Sequence, residues 1–336
     1  MRVWQISSFG IDSLELVERP IPSPDAGEVL VKVRAISINY RDLLIVKGLY
    51  NPKMKLPRIP VSDGAGDVVA VGDGVTAWKP GDRVAGIFMQ NWIDGPLTPG
   101  KARHALGGDI DGMLAEYVVL KDSGLVAIPE HLSFQEAATL PCAAVTAWNA
   151  LSAGEVKPGA TVLIQGTGGV SIFALQLARL KGARVLGISS SDEKLERASS
   201  LGLDAGLNYR ENPEWDRWAL DETAGQGVDL VVEVGGAATL PRSLKALRFG
   251  GTIAQVGVLS GPADPGPFPV ASILHRQARI HGIYVGSRKD FEDLNKAISL
   301  TQLRPVGENF PWSIARQVFT RMEEASHFGK LVLTVG

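Results

Sequence analysis

Two rhythms of apolar and polar positions divide the chain. Residues 28–35 partly alternate and are rich in branched side chains, which predicts a strand. Residues 64–72 read as another strand with glycines at its ends, residues 79–84 as a turn feeding a strand, and residues 114–120 as a further strand. Residues 91–111 are polar, glycine-rich and irregular, the pattern of a long surface loop. Near residue 147 the period changes. An apolar run at 161–164 is followed by helical spacing, with Val170, Phe173, Ala174, Leu177, Ala178 and Lys181 on one stripe. Strands at 183–188, 228–234, 252–258 and 280–285, and a short extended piece at 207–209, are interleaved with helices at 192–201, 215–223 and 239–247. Such alternation predicts a parallel sheet with helices on both faces. The fold class is therefore α/β, a doubly wound domain preceded by a β-rich one.

Composition narrows the function classes. The 336 residues carry 34 basic and 36 acidic side chains, a formal charge of −2, and no run of like charge long enough to grip nucleic acid. The single cysteine, Cys142, excludes a disulfide within the chain and a cysteine-based zinc cluster. It suits a reducing compartment, and a cytoplasmic location is expected. The opening residues lack the apolar region of a signal peptide. The uncharged stretches 137–154 and 158–178 contain too many polar residues and glycines to span a membrane.

The most informative local motif is Gly166-Thr167-Gly168-Gly169-Val170-Ser171, between a predicted strand and a predicted helix. Glycines let the chain turn tightly and let a pyrophosphate approach main-chain N–H groups, and the helix N-terminus adds unpaired donors and partial positive charge. Ser171, at the usual third glycine, is small enough for close helix–sheet packing. An NAD site usually places an acid about 20 residues on, at the ribose 2′-hydroxyl. Here the second strand ends in Ser189-Ser190-Ser191, followed by Asp192, Glu193 and Lys194. Hydroxyls and Lys194 suit a 2′-phosphate, which favours NADP(H). The same serines also suit a helix cap, and the two acids oppose a phosphate.

The chain resembles the medium-chain dehydrogenase/reductase superfamily, in its zinc-less quinone oxidoreductase-like branch. The resemblance is carried by residues 37–42, 60–66, 79–84 and 140–147, the glycine turn and residues 329–333, in family order. It implies a GroES-like catalytic domain of residues 1–146 and 286–336 and a Rossmann NADP(H)-binding domain of residues 147–285. The zinc-ligand positions of the family's alcohol dehydrogenases fall on Asn39, Ser62 and Cys142, and the structural zinc lobe is missing. Zinc prefers cysteine, histidine or carboxylate, so no metal is expected. Cys142 then reads as a small buried residue rather than a catalytic thiol.

The resemblance also implies site residues. Asn39 and Tyr40 are the catalytic candidates: Asn39 beside the nicotinamide and substrate, Tyr40 as a phenol that either donates to an enolate oxygen or packs as an aromatic. Arg41 reads as a solvated charge and Asp42 as structural. For the cofactor, Thr146 and Val256, Gly257 and Val258 would face the nicotinamide, and Ile283 and Val285 its carboxamide. Tyr209 would pack near the adenosine phosphate, and Lys330 would approach the pyrophosphate. The implied activity is zinc-independent, NADPH-dependent hydride transfer to a quinone or to the C=C of an α,β-unsaturated carbonyl, with a homodimer expected. Alternatives are an alcohol or aldehyde dehydrogenase of the same superfamily, or an NADPH-binding structural or regulatory protein without turnover, as among the lens crystallins.

Overall fold

A computed structural model describes residues 1–261 and 270–336. They fall into two compact units, Met1–Val145 with Val285–Gly336, and Thr146–Tyr284.

In the second unit six strands form one parallel sheet: Thr161–Gln165, Arg184–Ser189, Ala205–Asn208, Val228–Glu233, Leu247–Gln255 and Arg279–Gly282. Numbered along the chain, their spatial order is 3-2-1-4-5-6, the dinucleotide-binding order of doubly wound folds. The central strands are buried at nearly every position rather than at every second one, as strands covered on both faces must be. Leu163, Leu186, Val231 and Ile253 pack with Trp215, Ala219 and Leu244 of the helices Trp215–Glu222 and Leu240–Ala246. The last strand ends at Gly282, short of the expected residue 285. Its residues are exposed throughout, and the preceding helix Val270–Arg276 has no buried residue.

The first unit is built on a sheet in which Glu28–Ile38 is central, pairing antiparallel with Asp63–Val71, Tyr117–Lys121 and Lys330–Thr334. The strand expected at 114–120 begins at Tyr117. The stretch 91–111 has no helix or strand, yet it is not simply a surface loop. Trp92, Ala105 and Leu106 are buried and anchor it to the core.

Several helices of this unit escape the hydrophobic pattern, namely Tyr40–Val46, Ala315–Glu323 and Arg288–Thr301. The last is opened by Ser287, whose hydroxyl accepts from the Asp290 N–H while the Asp290 carboxylate accepts from the Ser287 N–H, and it buries Phe291, Leu294, Asn295 and Ile298. That signal is present in the chain.

Candidate active site

All six parallel strands of the second unit end on one edge of their sheet. Gln165, Ser189, Asn208, Glu233, Gln255 and Gly282 are the last residues of those strands. The segments that follow hold nearly every cofactor candidate of this unit: Gly166, Gly168, Gly169 and Val170, then Ser189, Ser190 and Ser191, Tyr209, Val256, Gly257 and Val258, and Ile283. Main-chain bonds hold them there. The Gly166 N–H donates to Ile188 O at 2.7 Å, Tyr209 N–H to Ser189 O at 2.9 Å, Val256 N–H to Glu233 O at 2.8 Å and Ile283 N–H to Gln255 O at 2.9 Å. Thr146 is buried at the start of the unit.

The glycine turn fits a dinucleotide. Gly166 has φ +69°, which an L side chain rarely adopts. A Cβ added at Gly166 or Gly168 would meet nothing within 4 Å, so open space lies beside both. Gly168 caps the helix Gly169–Leu180, whose first amides have no partner within the helix. The Ser171 hydroxyl donates to Gln165 O at 2.6 Å and locks the turn. At the second strand's end, the Ser191 hydroxyl accepts from the Lys194 N–H at 3.3 Å, so it caps the helix Asp192–Ser200. Asp192 accepts from the Asn208 amide at 3.2 Å.

Sequence reasoning missed Glu233. It is fully buried and accepts from Gln165 Nε2 at 2.7 Å, from the N–H groups of Gly235 and Gly236 at 2.8 and 3.0 Å, from the Thr239 hydroxyl at 2.5 Å and from the Ser243 hydroxyl. Five donors offset the cost of burying its carboxylate. The signal was an acid closing an apolar strand before two glycines.

In the first unit a second group of polar side chains is sealed from water. Antiparallel register pairs Leu331 with Ile38, which sets Lys330 opposite Asn39. Gly329 has φ +70°, and a Cβ there would lie 2.4 Å from Val306 O, so the turn before Lys330 requires glycine. Lys330, expected to approach a pyrophosphate, is only 3% exposed. Its Nζ donates to Ile38 O at 2.9 Å and to Asn39 Oδ1. Asn39 Nδ2 faces Ser62 Oγ at 3.5 Å, and the Ser62 hydroxyl donates to Asp63 Oδ1 at 2.7 Å. Asp63 also accepts from the Cys142 N–H at 3.1 Å. Asp42 accepts from the Asn39 N–H at 2.8 Å, holding the start of the helix Tyr40–Val46, and from the Ser62 N–H at 3.3 Å.

Arg41 is not the solvated charge expected from sequence. It pairs with Asp42 at 3.0 Å, donates to Leu106 O at 2.7 Å and lies over the rings of Phe88 and Tyr50. Arg41 and Lys330 thus match the two buried carboxylates Asp42 and Asp63 in number. Burial pushes both carboxyls above the ordinary value of 3.8, against the pull of Arg41 on Asp42 and of Lys330 on Asp63. Cys142, expected to be a buried residue, is half-buried, and desolvation, reinforced by the Asp63 charge, pushes its thiol up. Tyr40, at 37% exposure, stands at the first position of its helix with its side chain partly in solvent. Val285 has φ +59° and is buried.

Two family sequence models match the chain: the alcohol dehydrogenase GroES-like domain over residues 25–130 and the zinc-binding dehydrogenase over residues 169–300. A zinc-type alcohol dehydrogenase-like protein of Schizosaccharomyces pombe is 44% identical over 97% of this chain and 96% of the relative. Among solved structures, an alcohol dehydrogenase of Sinorhizobium meliloti 1021 superposes with a TM-score of 0.92 at 38% identity, covering 99% and 98% of the two chains. An NAD-dependent alcohol dehydrogenase does so at 0.91 and 34%, covering 100% of both. Other similar proteins bear different names. An acryloyl-coenzyme A reductase of Metallosphaera sedula is 31% identical over 87% of each chain. The quinone oxidoreductase of Coxiella burnetii has a TM-score of 0.81 at 28% identity, covering 100% and 99%.

The polar corner of the first unit does not fit zinc. Its groups at the matched positions are an amide, a hydroxyl and one thiol, with the Lys330 ammonium bonded to the amide oxygen. Among the described residues no three His, Cys, Asp or Glu side chains group as metal ligands.

Proposed function

This chain belongs to the medium-chain dehydrogenase/reductase superfamily, and on that premise we propose that it is a zinc-independent, NADPH-dependent reductase of quinones or of the C=C bond of α,β-unsaturated carbonyl compounds. The observation that carries the reading is the donor set of Asn39, Ser62 and Cys142, where an ammonium takes the place beside the amide that a metal would need. An alcohol dehydrogenase that relies on zinc to polarise its substrate requires ligands this corner lacks. An enone or quinone delocalises the developing charge onto its own oxygen, so hydrogen-bond donors and a proton source suffice. That relatives include an acryloyl-coenzyme A reductase and a quinone oxidoreductase is consistent with that chemistry.

Bound at the sheet edge, the nicotinamide dinucleotide would supply the hydride. The main chain of Gly166, Gly168, Gly169 and Val170 would hold its pyrophosphate. Ser189, Ser190, Ser191 and Lys194 would take the 2′-phosphate, and Tyr209 would pack near the adenosine end. Thr146, Val256, Gly257, Val258, Ile283 and Val285 would line the nicotinamide. Asn39 and Tyr40 would donate to the substrate oxygen, with Tyr40 the proton source. In this reading Lys330 acts on Asn39 and not on phosphate.

We further propose a homodimer formed through the exposed strand Arg279–Gly282 and the neighbouring helix, where Val270 and Leu274 are 64% and 73% exposed.

The test is NADPH and NADH oxidation against a panel of quinones, enones and aldehydes, with metal analysis of the purified protein. Turnover of quinones or enones, tighter binding of NADPH than NADH and absence of stoichiometric zinc support the reading. Turnover confined to aldehydes, or one zinc per chain required for activity, overturns it.

A further inference from the structure

The Lys330–Asn39 pair carries more than charge balance. An ammonium has only donors, so whatever it meets on a carboxamide must be the oxygen. Lys330 Nζ sits on Asn39 Oδ1 and, with its second donor, on Ile38 O in the strand that leads into Asn39. This grip decides which end of the Asn39 amide is which. With Oδ1 taken, Nδ2 is forced to the other side, toward Ser62 Oγ and the Asp63 carboxylate. Both groups on that side accept, so Nδ2 can only donate there. Asn39 is also the most exposed of the five buried side chains in the corner, at 8% against 3% for Lys330 and 0% for Asp42, Ser62 and Asp63. The backbone of Asn39 cannot swing to compensate, because Asp42 holds its N–H at 2.8 Å.

We propose that Lys330 is a positioning residue that holds the Asn39 carboxamide by its oxygen, so that with Oδ1 occupied Asn39 can meet a substrate or ribose oxygen only as a hydrogen-bond donor. Lys330 is thereby a selectivity device: a ligand group that needs an acceptor at this point meets N–H instead. The inference rests on the reading of the protein as an enone or quinone reductase, and its test separates the two.

The experiment combines steady-state kinetics on the best quinone or enone of the panel, NADPH titration and side-chain amide NMR on the full chain, for wild type, Asn39→Ala, Lys330→Met and the double variant. The Asn39 signal is the NH2 pair absent from Asn39→Ala. Losing a donor at the developing oxyanion lowers kcat by about 100-fold in Asn39→Ala. Loss of alignment alone lowers it by about tenfold in Lys330→Met, with the NADPH dissociation constant within about threefold of wild type. The double variant is no slower than Asn39→Ala, because an unlocked amide that is absent cannot be misplaced. The Asn39 NH2 pair shifts and gains exchange in Lys330→Met.

Multiplicative losses in the double variant overturn the proposal. So does a more than about tenfold weaker NADPH affinity in Lys330→Met with kcat unmoved, which would make Lys330 a phosphate contact. If Lys330→Met does not fold, Lys330→Gln replaces it, since a group that both donates and accepts cannot dictate the amide's orientation. If wild type turns over no quinone or enone, the proposed function fails. The NMR result then decides the Lys330–Asn39 assignment alone, and an unchanged NH2 pair refutes it.

Discussion

Gln165 and Glu233 meet through a 2.7 Å hydrogen bond at the adjoining ends of two parallel strands, Thr161–Gln165 and Val228–Glu233. These are the strands at which the sheet order reverses, where doubly wound folds open their ligand crevice. The pair couples the residue before Gly166 to the loop that Glu233 holds through Gly235, Gly236 and Thr239.

Gln165→Leu therefore removes a donor from a buried carboxylate and leaves the Val234 N–H, which bonds Gln165 Oε1 at 3.2 Å, without its acceptor. The expected cost is about 2–4 kcal/mol. Chemical denaturation measures it, and a loss under about 1 kcal/mol would show the network to be dispensable.

Gly112→Ala tests how the corner is supported. Val61 holds φ +75°, an uncommon backbone state for a branched residue, directly before Ser62 and Asp63. A Cβ at Gly112 would lie 2.1 Å from Val61 O and 2.5 Å from Pro60 O, both main-chain atoms. The backbone must shift, at a cost of about 1–3 kcal/mol, and the shift reaches Ser62. The expected result is a lower melting temperature together with a lower kcat.

Lys330→Met should make stability fall with rising pH. Burial already holds the Asp63 carboxyl above 3.8, and Lys330 is the largest influence pulling it down. Without that ammonium the folded-state value rises further. An acid whose folded-state pKa is raised binds more protons folded than unfolded, so its contribution is intact below the unfolded value and is lost as pH climbs through the folded one. Denaturation midpoints from about pH 4 to pH 8 should show the variant closest to wild type at the acid end and progressively weaker above it. A variant weakest at the acid end would contradict this.

Cys142 should be inert. Burial and the Asp63 charge push its thiol up, and the thiolate is the reactive form. A disulfide reagent at neutral pH should modify it slowly in the native protein and promptly in denaturant. Rapid native modification that abolishes activity would restore a catalytic thiol to consideration.

Leu274→Glu tests the dimer. A charge in the exposed apolar surface around Val270 and Leu274 should shift sedimentation from dimer to monomer while the melting temperature of the monomer stays near that of wild type at high dilution. Wild type that sediments as a monomer would remove this proposal.

The sequence by itself determined the doubly wound half of the molecule. Runs such as 161–164 and 228–234 are largely apolar because strands covered on both faces have no solvent side, and the glycine at 166 marks a turn with φ +69° that L side chains rarely adopt. Most of the cofactor candidates it proposed in this half follow the ends of parallel strands, which share one C-terminal edge. It misjudged Arg41, since the sequence beside Asp42 could not reveal a half-buried guanidinium packed on Phe88 and Tyr50 and bonded to the Leu106 carbonyl.

Only the tertiary structure decided the polar corner. Lys330 and Asn39 are 291 positions apart, and what unites them is strand register, with Leu331 opposite Ile38. Glu233 finds its donors on three separate segments. Periodicity reports which face of an element is buried. It carries nothing about which distant polar groups will share that burial, and the need to satisfy each of them once water is gone is settled only when the chain has closed on itself.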